Sequence, residues 1–179
     1  SFVDSGEVDL SAYVGKNVQI GFKYTSTASD AGTWEIKNVK VAEKEVAQAG
    51  VVSIVFNTLG YTNAQSVDGK TIVVDENISL VFKKASASTA PAYYDASQGI
   101  RMYQNGSTLD VTAANGKVIT SIEFEFDYNM YYLICDNGEL SANNAIRTWT
   151  GESSAIKFTC NGTDKNSRAY IKKMKISYK

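Results

Sequence analysis

Apolar and polar residues alternate along most of this chain with the two-residue period of a β-strand. Across 17–24, Val18, Ile20, Phe22 and Tyr24 fall on one face, while Asn17, Gln19 and Lys23 fall on the other. The same period groups Val52, Ile54 and Phe56, then Ile78, Leu80 and Phe82, then Ile122, Phe124 and Phe126, then Ile156, Phe158 and Cys160. Turn chemistry separates these runs: SDAG at 29–32, VDGK at 67–70, ANGK at 114–117, DNGE at 136–139 and CNGT at 160–163. A short linker helix over 43–50 is the only helix the pattern offers. Many short strands with frequent turns predict an all-β antiparallel sandwich.

Two stretches of the chain match each other in spacing. Tyr13-Val14-Gly15 and Trp149-Thr150-Gly151 are both aromatic-x-Gly, and each aromatic stands nine residues before the Phe of an Ile-x-Phe strand, Phe22 and Phe158. A single gap then aligns Tyr13–Val41 with Trp149–Ile176. In both closing strands the apolar parity switches midway: Trp34 and Ile36 give way to Val39 and Val41, and Ile171 to Met174 and Ile176. A β-bulge at Lys37-Asn38, and another at Lys172-Lys173, would restore the facing. The repeat predicts that 1–43 are the closing strands of a truncated first module, 44–49 a linker and 50–179 a complete β-sandwich. The alternative is one domain of 179 residues whose first strands join the same sheets.

Composition narrows the function classes. With 18 Lys and Arg against 19 Asp and Glu, the chain has no basic footprint for nucleic acid. No window approaches the roughly 18 apolar residues of a spanning helix, so no membrane insertion of this segment is expected. Histidine is absent, which removes the usual general base, the Ser-His and Cys-His pairs and the commonest metal ligand. Cys135 and Cys160 permit one disulfide or two buried thiols, and two cysteines are too few for a cysteine-based zinc site.

The segment from Val8 to Val41, with its DLSAYVG, QIGFKY and WEIKNVKV runs, resembles the terminal strands of jelly-roll modules in secreted and surface proteins of Bacteroidetes, including the cleaved-adhesin family. The later YYDASQGIRMYQNGSTLDV and TWTGESSAIKF are similar to extracellular β-sandwich modules from the same bacteria. The resemblance implies a jelly-roll-like sandwich at the cell surface, outer membrane-associated or secreted, that binds a glycan or a surface protein without cofactor or catalysis. Such modules often hold a structural calcium beside the last strand through an acidic residue. Lys37 and Lys172 occupy that place here, and an ammonium cannot ligate Ca²⁺, so no metal is expected.

The leading candidate site lies in 90–107. Sugar recognition needs an exposed aromatic face for the C–H side of a pyranose and planar polar groups for its hydroxyls. Tyr93, Tyr94, Asp95, Arg101, Tyr103 and Asn105 supply these types. Adjacent Tyr93 and Tyr94 would point to opposite faces of a strand, leaving one available. A second aromatic group contains Tyr131 and Tyr132, of which one is expected outward and one inward. Glu123 and Glu125 share a strand face as a glycosidase pair would, but they alternate with Ile122, Phe124 and Phe126, which places them on the solvent side of a sandwich strand. No enzymatic activity is expected.

Overall fold

The computed structural model describes residues 6, 8–13, 15–29, 32–33, 35–41 and 49–179. The chain divides into two compact units, Ser1–Lys44 and Glu45–Lys179. The linker helix expected over 43–50 falls largely outside the described residues.

In the first unit a 3-10 turn spans Ser11–Tyr13, and no strand is assigned among the described residues. Val18, Ile20, Phe22 and Tyr24, the face of the expected strand, are about half exposed at 50, 51, 52 and 49%. This corrects the strand expected over 17–24. Alternation makes a segment compatible with a sheet, but the ladder bonds that define a strand come from its neighbours. At the parity switch Asn38 has φ of 56°.

The second unit is a sandwich of two antiparallel sheets. The larger contains β1 (Gly50–Val55), β4 (Ala92–Tyr94), β5 (Gly99–Met102), β7 (Ile119–Tyr131), β9 (Glu139–Leu140), β10 (Ile146–Ser153) and β12 (Ala169–Tyr178). Its strands run in the order β4-β5-β12-β7-β10-β9, and β1 pairs with β12 on the same side as β5. The smaller sheet has the order β2-β3-β6-β11-β8, with β2 at Thr71–Val73, β3 at Ile78–Lys83, β6 at Thr108–Ala113, β8 at Ile134–Cys135 and β11 at Ala155–Thr159.

The expected alternation sets become the facing surfaces of the two sheets. Leu80, Phe82, Ile122, Phe124 and Phe158 are fully buried, and Ile54, Phe56, Ile78, Phe126, Ile156 and Cys160 join them in one core. Phe124 of the larger sheet meets Phe158 of the smaller edge-to-face, with ring centroids 4.8 Å apart. Such an aromatic pair adds about 0.5–1.5 kcal/mol beyond the area it buries.

The parity switch in β12 is a bulge. Ile171 pairs with Phe126 but Lys173 with Glu125, so Lys172 is the extra residue, and Met174 and Ile176 turn back into the core. Gly99 stands beside this point because a Cβ there would collide with the Ile171 carbonyl. A second irregularity precedes it, since Ala169 pairs with Tyr131 and Ile171 with Phe126, so 127–130 leave the ladder. Tyr128, inside this excursion, has φ of 50° and is 69% exposed.

Trp149 of β10 is fully buried, and its indole N–H donates to the Asn137 carbonyl at 2.7 Å. The aromatic-x-Gly motif has a steric origin here, because a Cβ on Gly151 would lie 2.6 Å from the indole. Of the expected turns in this unit, those at Gly69, Gly116 and Gly138 have the positive φ that turn glycines supply. Gly162 does not; instead its Cα lies against the Ser167 backbone, where a side chain would collide.

Candidate functional site

The short edge strand β4 separates the two adjacent tyrosines as a strand must. Tyr93 turns into the core, 5% exposed, and its ring lies 6.0 Å from that of Tyr61. It is therefore withdrawn from the candidate ligand set, because a ring packed between sheets offers no face to a ligand. Tyr94 lies half-buried on the outward face. A 3-10 turn, Asp95–Ser97, follows it and ends at Gln98 in the left-handed region, which reverses the chain into β5. Asp95 is exposed on this turn.

Arg101 of β5 is the cross-strand partner of both Ala92 in β4 and Tyr170 in β12. Directly opposed residues share a sheet face, so the Arg101 side chain enters the outward layer with Tyr94 and Tyr170. Its guanidinium carbon sits 4.1 Å from the Tyr94 ring centroid and 4.5 Å from that of Tyr170. Two residues on, Tyr103 returns to the same layer. Its hydroxyl is hydrogen-bonded to that of Tyr94 at 2.9 Å, and Arg168 lies over its ring at 4.9 Å. Arg168 Nε donates to Gln104 Oε1 at 2.8 Å, and Arg101 Nε makes a long bond to Ser97 Oγ at 3.4 Å.

The result is a continuous series on one face: Tyr170, Arg101, Tyr94, Tyr103, Arg168. Burial, then the bond to Tyr94, holds the Tyr103 hydroxyl well above the ordinary tyrosine pKa, so Tyr103 keeps its proton at physiological pH. Tyr103 is only 8% exposed, and it contributes an anchoring ring rather than an open platform. Among the described residues, neither Arg101 nor Arg168 has a carboxylate oxygen within 4.0 Å.

Tyr170 and Arg168 were missed by sequence reasoning, although the chain contains a signal. Arg101-Met102-Tyr103 and Arg168-Ala169-Tyr170 are the same Arg-x-Tyr tripeptide. Their antiparallel register sets Ala169 against Met102 and Tyr170 against Arg101. Each arginine therefore stacks on the tyrosine of the other tripeptide.

Asn105 caps the turn after Tyr103. Asn105 and Gly106 have φ of 62° and 105°. The Asn105 N–H donates to the Gly162 carbonyl at 2.9 Å, and its own carbonyl accepts from Ser86 Oγ at 2.8 Å. Its side chain is exposed beside Gln104.

The second aromatic group departs from expectation. Tyr131 and Tyr132 do not divide between two faces; their rings stack at 5.5 Å and 25°. β7 ends at Tyr131, and the Leu133 N–H donates to the Tyr131 carbonyl at 2.9 Å, a tight turn that breaks strand alternation. Arg147 fixes this turn. It is 5% exposed, its Nη1 donates to the carbonyls of Tyr131 and Leu133, both at 2.8 Å, and its Nε and Nη2 donate to Ser141 O at 2.9 and 2.8 Å. The Tyr132 N–H donates to Arg168 O at 3.2 Å, so both aromatic groups meet at the start of β12.

Glu123 and Glu125 lie across from Lys175 and Lys173 on the outward face of the same sheet. A depression of about 190 Å³ opens at the bulge, lined by Val55, Asn57, Gln98, Glu125, Lys172 and Lys173. No cluster of three or more Cys, Asp or Glu residues suited to a metal occurs among the described residues, and no described helix is long and apolar enough to cross a membrane. Cys135 and Cys160 are free thiols. No known protein family and no curated protein sequence matches the chain.

Proposed function

We propose that the second unit is a non-catalytic carbohydrate-binding or adhesion module of a protein displayed outside the cell. The observation that supports this is the outward Tyr–Arg series on β4, β5 and β12. Sugar sites combine aromatic surface with a few fixed polar groups. Tyr94 has one face covered by Arg101, so a pyranose would pack on its other face. Asp95, the Arg101 N–H groups and the Asn105 amide would bond its hydroxyls, all three being half-buried or exposed.

The test is a glycan array probed with the parent and with Tyr94→Ala and Asp95→Ala variants, alongside their melting temperatures. Binding that falls at least tenfold in Tyr94→Ala, with folding retained, is the expected result. Absence of glycan binding by the parent would sink the reading.

A second reading, a spacer or protein-interaction module, is favoured by a different observation. Val51 on β1 and Val73 on β2 are 60 and 70% exposed, and β2 is an edge strand of the smaller sheet. Exposed apolar edge strands are pairing surfaces.

A further inference from the structure

We infer that the ligand of this surface is anionic, a glycan bearing carboxylate or sulfate groups that the Arg101 and Arg168 guanidinium edges receive. The inference rests on the glycan-binding reading above and adds the ligand's charge to it.

Three features carry it. The Arg101 guanidinium carbon lies over the rings of Tyr94 and Tyr170, one from each flanking strand, at 4.1 and 4.5 Å from their centroids. Two rings crowd the guanidinium, and the group it offers to a ligand is its N–H edge, the geometry that takes carboxylate or sulfate oxygens in pairs. Both arginines have unused donors: among the described residues only Nε of each makes a hydrogen bond, to Ser97 and Gln104, which leaves the terminal nitrogens for a ligand. Neither guanidinium is neutralised by a described carboxylate within 4.0 Å. By contrast Lys83, elsewhere on the sandwich, pairs with Asp110 at 2.6 Å.

The stacking also removes the usual cost of ordering arginine. An arginine side chain loses up to about 2 kcal/mol of rotamer freedom when fixed. Here the rings of Tyr94, Tyr170 and Tyr103 hold both arginines in place beforehand. A neutral sugar would use only part of this arrangement, since hydroxyls neither need the paired donors nor compensate two adjacent cations.

The experiment measures binding of the full chain to a polyuronate, a sulfated glycan, a neutral glucan and a single-stranded oligonucleotide. It compares the parent with Arg101→Gln, Arg168→Gln and the charge-preserving Arg101→Lys, and checks each fold by its melting temperature. The expected result is binding to the polyuronate or the sulfated glycan, the two arms identifying which anion is read. Each Gln variant should lose tenfold or more, and Arg101→Lys severalfold. Binding to the neutral glucan alone, weakened by Tyr94→Ala but not by the arginine variants, would overturn the inference while leaving glycan binding intact. Equal, arginine-dependent binding of the oligonucleotide would overturn it in favour of general polyanion attraction. No binding in any arm would overturn both readings together.

Discussion

Arg147→Met removes a buried cation whose only described compensation is four hydrogen bonds to main-chain carbonyls of Tyr131, Leu133 and Ser141. Burial lowers the arginine's pKa from its ordinary value, but a guanidinium remains charged in a protein, so the cost of burying it is met by those bonds. Methionine fills the aliphatic stem and takes no charge inside. Relief of desolvation, several kcal/mol per buried ion, therefore offsets much of the loss of four charge-assisted bonds at roughly 1.5–3 kcal/mol each. What remains is three carbonyls with one partner fewer, at about 1 kcal/mol apiece. The net loss is about 3 kcal/mol, or roughly 10 °C of melting temperature for a unit of this size. Urea denaturation followed by circular dichroism would measure it. Because the same bonds hold the Tyr131–Leu133 turn, the near-ultraviolet tyrosine signal of the stacked Tyr131–Tyr132 pair should fall as well. A Met variant within about 0.5 kcal/mol of the parent, with that signal unchanged, would refute the assignment of Arg147 as the pin of the turn.

Other outcomes follow from the same structure. The Tyr178 hydroxyl donates to Asp75 Oδ2 at 2.8 Å, and that carboxylate raises its pKa above the usual 10.0. The folded form thus holds a proton that the unfolded chain releases above about pH 10. The stability from this bond is full below that pH and lost as pH rises through the raised value, so Tyr178→Phe should melt lower at pH 7 yet decline less steeply in alkaline titration. Gly151→Ala should cost about 1–3 kcal/mol in chemical denaturation, since its methyl would enter the Trp149 indole. Deleting Lys172 removes only the extra residue and leaves Ile171, Met174 and Ile176 alternating inward in their present pairs, so the unit should stay folded, and Lys172→Ala should change the melting temperature by only a degree or two. Burial raises the Cys160 thiol pKa, so Ellman's reagent should find it unreactive in the native protein and titrate both cysteines only after unfolding.

The core of the second unit was legible because a sandwich strand must send every second residue inward. Ile78, Leu80 and Phe82 obey this, and so does the parity break that located the Lys172 bulge. Arg147 was legible in principle by the same rule: it stands two residues before Trp149 and so shares its inward face, but the charge of arginine conceals the pattern. The Tyr–Arg surface was half legible. Tyr94, Arg101 and Tyr103 lie close in sequence, whereas Arg168 and Tyr170 come from a strand whose neighbour cannot be read from local spacing. Tyr131 and Tyr132 defeated the alternation rule because a carbonyl-bonded turn ends the strand between them. In the first unit the clear alternation of Val18 to Tyr24 predicted a strand that is not assigned, since a ladder is a property of two segments and not of one.

The place of β12 has a consequence for the order of assembly. It is last of the strands in sequence, yet it lies inside the larger sheet and pairs with β1, β5 and β7. Gly50 therefore waits for Tyr178, and during synthesis the β4–β5 pair and the β7–β10–β9 group remain two separate pieces, with β1 outside both, until β12 emerges from the ribosome. Closure over such sequence distances places folding in the slow, millisecond-to-second class. Because Arg168 and Tyr170 arrive with that strand, the Tyr–Arg surface comes into being in the same step that closes the sheet. A chain that displays it has already passed its own test of correct folding.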